Sequence, residues 1–253
     1  DDEFAPLRLK LGVYGQRQEG VHMFRMKIPY GGITPEQLEA IANVAEKYST
    51  GKAHVTTREN IQIHFVNHQD IETVMRSVGE AGITSREACG NTVRNVTACH
   101  LAGVCPYEAF DITPYAHAVA YHFLRNPICQ NLPRKFKISF TACPSKCPAC
   151  RICGIPYIND IGVVGLILNG KRVFKIYAGG GLGNSPVFAE LLEEYTPEDE
   201  LLRTAEALVI VHDKYSNRKN RARARMKFVL QKLGLEQFRK LVLDEREKIP
   251  KRE

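Results

Sequence analysis

"GVHMFRMKIPYGGITPEQLEAIANVAEKYSTG", residues Gly20–Gly51, changes its period in the middle. Before Gly32 the side chains alternate, Val21, Met23, Arg25 and Lys27 against His22, Phe24, Met26 and Ile28. That period of two predicts a strand. After Gly32 the spacing becomes helical, with Leu38, Ile41, Ala42 and Ala45 on one stripe. Thr34 stands where a helix cap belongs, Pro35 takes the first helical position, and Gln37 completes a capping box. Downstream, "AHVTTRENIQIHFV" (Ala53–Val66) predicts two strands turning at Glu59–Asn60, and "HQDIETVMRSVGEAG" predicts a second helix ended by Gly82. Strand, helix, strand pair and helix within about 80 residues form a ferredoxin-like α/β unit. We assign it residues 1–85.

The rest, 86–253, reads as a second α/β unit with a helical end, so the fold class is α+β. Thr113–Asn126 predicts a helix with Thr113 as its cap, and "RKFKISF" predicts a strand. "IGVVGLIL" and "KRVFKIYAGGG" predict strands joined at Asn169–Gly170, a two-residue hairpin signal. From Pro197 onward the pattern is helical, including "RKNRARARMKFVLQKLG".

The chain has 253 residues, 44% hydrophobic and 25% charged, as expected of a soluble globular protein. No apolar run reaches the roughly 20 residues that a membrane helix needs. The acidic start "DDEFAPLRLK" does not read as a signal peptide. The expected compartment is therefore cytoplasmic and reducing, where disulfides are disfavoured. A formal charge of +7 suits an anionic ligand or an acidic partner, although a plain basic surface explains that number equally well.

Cysteine usage is more specific. Cys99 and Cys105 form C-x5-C, and Cys143 and Cys147 form C-x3-C some forty residues on. Two such pairs supply four thiolates, the usual complement of a [4Fe–4S] cluster. Cys150 and Cys153 extend the second group. Cys147, Cys150 and Cys153 have zinc-like C-x2-C steps and match the start of a bacterial ferredoxin motif, but the C-x3-C-P that completes that motif is absent. Cys89 and Cys129 stand alone and read as buried thiols. His54, His64, His100 and His122 lack the spacing of a metal set.

Basic residues surround the paired cysteines. Arg94 lies five residues before Cys99, and Arg58 sits at a strand end. Lys135 and Lys137 share one strand face leading to Cys143, opposite the apolar Phe136 and Ile138. Cations converging beside a metal centre make a pocket for a small anion, each charge-assisted hydrogen bond contributing about 1.5–3 kcal/mol.

The stretches "GVHMFRMKIPYGGITPEQL", "HVTTRENIQIHF", "GNTVRNVTAC", "LPRKFKISFTACPSKC", "YAGGGLG" and "RKNRARARMKF" together resemble the sirohaem-containing nitrite and sulfite reductases. The resemblance spans nearly the whole chain in family order. It implies a [4Fe–4S] cluster held by Cys99, Cys105, Cys143 and Cys147, with Cys147 also the axial thiolate of the sirohaem iron. It implies that Arg58, Arg94, Lys135 and Lys137 bind the oxyanion, and that the backbone at Gly179, Gly180 and Gly181 lies against sirohaem carboxylates. The implied activity is the six-electron reduction of sulfite to sulfide or of nitrite to ammonia, with a donor such as ferredoxin.

Two features depart from that family. Its members carry two homologous halves packed about the sirohaem, whereas this chain looks like one half holding both residue sets. A homodimer, or a heteromer with a homologous subunit, is the expected assembly. Cys150 and Cys153 are not needed by the pattern. They motivate a rival reading, an iron–sulfur electron-transfer or scaffold subunit without its own catalytic sirohaem. "YAGGGLGNSP" is a poor dinucleotide motif, because Asn184 takes the place of the last glycine. The charges of "RKNRARARMK" point several ways on a helix, which suits solvation or carboxylate clamps better than nucleic acid.

Overall fold

The computed structural model describes residues 4–143 and 155–251. A short helix, α1 (Phe4–Lys10), precedes strands β1 (Val13–Gly15) and β2 (Val21–Met26). Helix α2 (Pro35–Tyr48) follows, then β3 (Ala53–Val55), β4 (Ile61–Asn67) and α3 (Ile71–Glu80). The four strands pair antiparallel in the order β1-β2-β4-β3. Thr34 and Gln37 form the predicted capping box, which fixes where α2 begins. Gly82, at φ +78, follows α3 as expected.

The core of this unit joins Phe24, Met26, Ile63 and Val66 of the sheet to Ile41, Val44, Ala45, Val74 and Val78 of the helices. Two sequence expectations shift. Leu38 is 53% exposed, and the buried face of α2 is Ile41, Val44 and Ala45. Met23 and Phe24, consecutive in β2, are both buried, because a bulge between His22 and Phe24 breaks the alternation.

The second sheet is mixed, with strands β5 (Val93–Thr97), β6 (Phe136–Thr141), β7 (Ile161–Leu168), β8 (Lys171–Ala178) and β9 (Glu190–Pro197) in sequential order. Strands β5, β6 and β7 run parallel, and β7, β8 and β9 antiparallel. Asn169 (φ 51) and Gly170 (φ 76) supply the left-handed pair that the β7–β8 turn requires. Strand β9 was not expected. It is an edge strand rich in Glu that buries only Leu192 and Thr196, so its pattern is weak.

Helices α4 (Thr113–Phe123), α5 (Leu201–Tyr215), α6 (Met226–Leu233) and α7 (Leu235–Arg246) complete the unit. Ile112, rather than Thr113, is the cap residue of α4; Asp111 Oδ1 accepts from both Thr113 N (2.9 Å) and Thr113 Oγ1 (2.8 Å). The basic run 218–225 is not a helix apart from a 3-10 turn at Arg221–Arg223; α6 starts only at Met226, where the apolar spacing begins. Among the described residues no helix is long and apolar enough to cross a membrane.

Buried polar contacts fasten the two units together. Asn95 Nδ2 donates to Ile28 O (2.6 Å) and to Arg58 O (2.9 Å). Lys27 faces Glu87 at 3.8 Å, both side chains almost wholly buried. These contacts set the β3–β4 turn against the carboxyl ends of the parallel strands.

Candidate active site

Parallel strands deliver their following loops to one edge of the sheet. Strand β5 ends at Thr97 and leads into Cys99; β6 ends at Thr141 and leads into Cys143. Thr97 pairs with Ser139 across the ladder, so the two cysteine loops emerge side by side. Cys99, Cys105 and Cys143 are all buried and form one cluster, packed by Leu101 and Ala102. A bond from Ala109 N to Ala142 O (2.8 Å) fastens the loop carrying Cys105 to the one carrying Cys143. Among the described residues no three His, Cys, Asp or Glu side chains are gathered closely enough to hold a metal ion. Cys147, Cys150 and Cys153 lie outside the described residues. Cys89 and Cys129 are fully buried elsewhere, and burial raises both thiols, Cys129 to about 12.

Beside the cysteines lies a cleft of about 510 Å³, lined by Arg58, Glu59, Thr97, His100, Lys137 and Asn159 among others. Arg58 reaches it from the β3–β4 turn. Its Nη1 donates to Asn159 Oδ1 (2.6 Å), and its Nη2 to Asn95 O (2.5 Å) and Ile138 O (3.1 Å). Its Nε is buried without a partner. Burial lowers the guanidinium to about 10. Arg58 therefore joins the first unit to strands β5 and β6 while facing the cleft.

A second cleft of about 420 Å³ adjoins the first, and Lys137 and Leu182 line both. Its walls carry Arg134, Lys135, Lys137, Arg221, Arg223, Arg225 and Lys227, with no acidic side chain among its lining residues. Burial pulls the Lys137 ammonium down to about 8, and Arg58, Arg225 and Lys135 add to this by repulsion. Burial likewise lowers Lys135, helped by Arg94, Arg134 and Arg225. Each of the four cations expected from the sequence thus neighbours at least one of the others, but Arg94 lines neither cleft. Arg94 is fixed by its own bonds to Gly90 O (2.9 Å) and Ala88 O (3.1 Å).

One buried carboxylate organises this cationic wall. Asp160, wholly buried, accepts from Arg225 Nε (3.1 Å) and Nη2 (2.7 Å) and from the Lys137 backbone N (2.8 Å). Sequence reading missed Asp160, which is a lone acid before an apolar strand. It also missed Arg225 as a buried residue, although Arg225 is the last arginine of its run and stands just before α6. Glu59 and Asn159 were likewise not singled out as site residues.

The glycine loop is shaped by packing. Gly179 sits at φ +82, and a Cβ there would lie 2.9 Å from Leu230. A Cβ on Gly180 would lie 2.5 Å from Tyr157 O. Gly179 N donates to Asp160 O (3.0 Å), and Gly181 bonds in both directions with Val187. The residues that line the basic cleft come just after the triplet: Leu182, Gly183, Asn184 and Ser185.

Comparison with known proteins agrees with this layout. The family model described as the nitrite and sulphite reductase 4Fe-4S domain matches residues 89–251, and the nitrite/sulfite reductase ferredoxin-like half domain matches 14–81. The chain is 33% identical over 249 residues to an assimilatory ferredoxin-dependent nitrite reductase of Haloferax mediterranei, covering 90% of this chain and 41% of that protein. It is 26% identical to sulfite reductase [ferredoxin] 1 of Mycolicibacterium paratuberculosis, covering 93% of this chain and 44% of the relative. The solved structure of the Mycobacterium tuberculosis NirA protein superposes with a TM-score of 0.85 at 24% identity, over 96% of this chain and 46% of that one. The chain spans less than half the length of these relatives.

Proposed function

We propose that this chain, which belongs to the nitrite and sulfite reductase family, forms the site of a six-electron reduction of sulfite or nitrite. The observation that carries the reading is the adjacency of three buried cysteines to two joined clefts, the nearer presenting Arg58, Lys137 and Glu59 and the farther charged only by cations. Cys99, Cys105 and Cys143, with Cys147, are the thiolates we assign to a [4Fe–4S] cluster. The acid-free basic cleft suits a tetrapyrrole bearing many carboxylates, with Arg134, Arg221, Arg223 and Lys227 as its clamps and Gly179, Gly180 and Gly181 shaping the adjoining loop. Sirohaem and cluster, when bound, supply electrons at an iron. Arg58, Arg94, Lys135 and Lys137 neutralise the anion and polarise its oxygens, and the lysines hold protons for the departing water. Asp160 keeps Lys137 and Arg225 in register. We place residues 1–85 and 86–253 as the two units of this site, in a cytoplasmic setting where thiolates stay reduced.

The test is an absorption spectrum with iron, sulfide and tetrapyrrole analysis, followed by turnover of each anion with reduced viologen. Protein with full iron and sulfide but no tetrapyrrole after reconstitution would contradict the reductase reading and favour the scaffold one. The names of the two relatives and the charge of +7 both support an acidic ferredoxin as donor.

A pH effect follows from Lys137. Its charge is present below about pH 8 and is lost above it. Titration calorimetry with sulfite and with nitrite is expected to show affinity falling as pH rises through 8. In Lys137→Met the step should vanish, leaving weak binding throughout. Assembly gives another expectation. Leu182 on the cleft wall and Phe188 beyond the glycine loop are 57% and 75% exposed. Such apolar groups beside a cofactor cleft suit a covering partner, a second copy or a homologous half. Light scattering on cofactor-loaded protein should give the mass of a dimer; a fully active monomer would refute this assembly.

A further inference from the structure

Glu59 occupies a backbone position that its residue type disfavours. Its φ is +55, inside the left-handed region that glycine and asparagine take at lower cost. The tight turn between β3 and β4 forces this conformation: Thr56 N donates to Asn60 O (2.8 Å), and Glu59 N to Thr56 O (2.9 Å). A strained position filled by an ionisable side chain points to a use for that side chain. The carboxyl enters the wall of the cleft that also presents Arg58, Lys137 and His100. One oxygen accepts from Ala98 N (3.1 Å), the backbone step just before the cysteine loop. Among the described residues no ion pair reaches Glu59. Both terminal nitrogens of the neighbouring Arg58 are turned to Asn159, Asn95 and Ile138.

Resting on the reductase reading, we propose that Glu59 is a proton carrier for the anion bound in this cleft. In the step, the O–H bond of the neutral carboxyl breaks and a new O–H bond forms on an oxygen of the anion. The electron pair stays on Glu59 as a carboxylate, stabilised by the Ala98 amide and the Arg58 charge. Solvent returns the proton. No electrons pass through Glu59; they come from the low-potential donor of the reduction. Oxygen leaving as water needs protons at this place, and the Arg58 guanidinium, lowered only to about 10, does not release one near neutral pH.

The electrostatics agree. Burial raises the Glu59 carboxyl to about 7, against the lowering effects of the Ala98 amide and Arg58. Lys137 faces the same cleft from β6 and His100 from the loop after β5, and beside the charges of Arg58 and Lys137 the group still holds its proton near neutrality. A carrier working near pH 7 needs that balance.

The test combines two readouts on the full chain. Infrared difference titration of the protein without its cofactors should show a carboxylic-acid band lost with a midpoint near pH 7 and missing from Glu59→Gln. Reconstituted enzyme with reduced viologen should lose turnover roughly tenfold to a hundredfold in Glu59→Gln at pH 6–7. Glu59→Asp should recover part of the rate, and nitrite or sulfite affinity should change by less than about twofold. Loss, in Glu59→Gln, of the wild-type fall in rate as pH rises through about 7 completes the expected result. A Glu59 band that titrates in the ordinary carboxylate range, or an active Glu59→Gln enzyme with the wild-type rate and profile, overturns the proton role alone. A loaded wild type that reduces neither anion overturns the reductase reading and this inference with it.

Discussion

Replacing Asp160 by alanine is expected to lower stability by about 3–5 kcal/mol, because it leaves the Arg225 guanidinium buried without its counter-charge. The carboxylate is completely shielded from water and holds three donors, two from Arg225 and one from the Lys137 backbone. In a chain of this length each kcal/mol shifts the melting temperature by about 2–4 °C, so a fall of roughly 10 °C should appear in calorimetry. The double variant D160A/R225M removes both partners and should regain part of the loss, since an apolar pair needs no buried counter-charge. Equal losses in the single and double variants would show that the pair does not carry this stability. The same change should loosen Lys137 and weaken anion binding even at temperatures where the chain stays folded.

Cysteine substitution should have the largest effect on the proposed chemistry. Cys99→Ser and Cys143→Ser each remove a thiolate from the buried cluster, and we expect each to leave reconstituted protein with less than about a tenth of the wild-type iron and sulfide. Cys147→Ser should do the same. Cys150→Ser and Cys153→Ser should keep the cluster, its electron paramagnetic resonance signal after reduction, and turnover. A cluster that survives loss of Cys99 but not of Cys150 would transfer the ligand role to the C-x2-C steps and support an electron-transfer subunit. Because Cys99, Cys105 and Cys143 are packed by Leu101 and Ala102, serine there also adds a hydroxyl to an apolar pocket. Circular dichroism on each variant separates that folding penalty from ligand loss.

Much of this molecule could be read from local patterns. The change from period two to helical spacing across Gly32 located β2 and α2, and Thr34 with Gln37 fixed the helix start, because a cap is satisfied by residues three apart. Asn169–Gly170 specified its hairpin because a two-residue turn needs two left-handed residues in a row. The paired cysteines and the basic set were visible as spacings. Strand β9 was hidden, since an edge strand buries one sparse face and its glutamates resemble a helix surface.

Tertiary structure alone decided which charges are buried and what they face. Asp160 and Arg225 are 65 residues apart, so no local pattern links them; they meet because β7 begins beside the cap of α6. Arg58 was legible only as a cation at a strand end, and folding directs its terminal nitrogens to Asn159, Asn95 and Ile138. Glu59 looked like one more turn residue. Its carboxyl is raised to about 7 only because the β3–β4 turn is pressed against the ends of β5 and β6, removing water from it. Spacing along the chain determines which side chains share a face. Desolvation and charge pairing depend on distances between segments remote in sequence, and these exist only once the two sheets have packed.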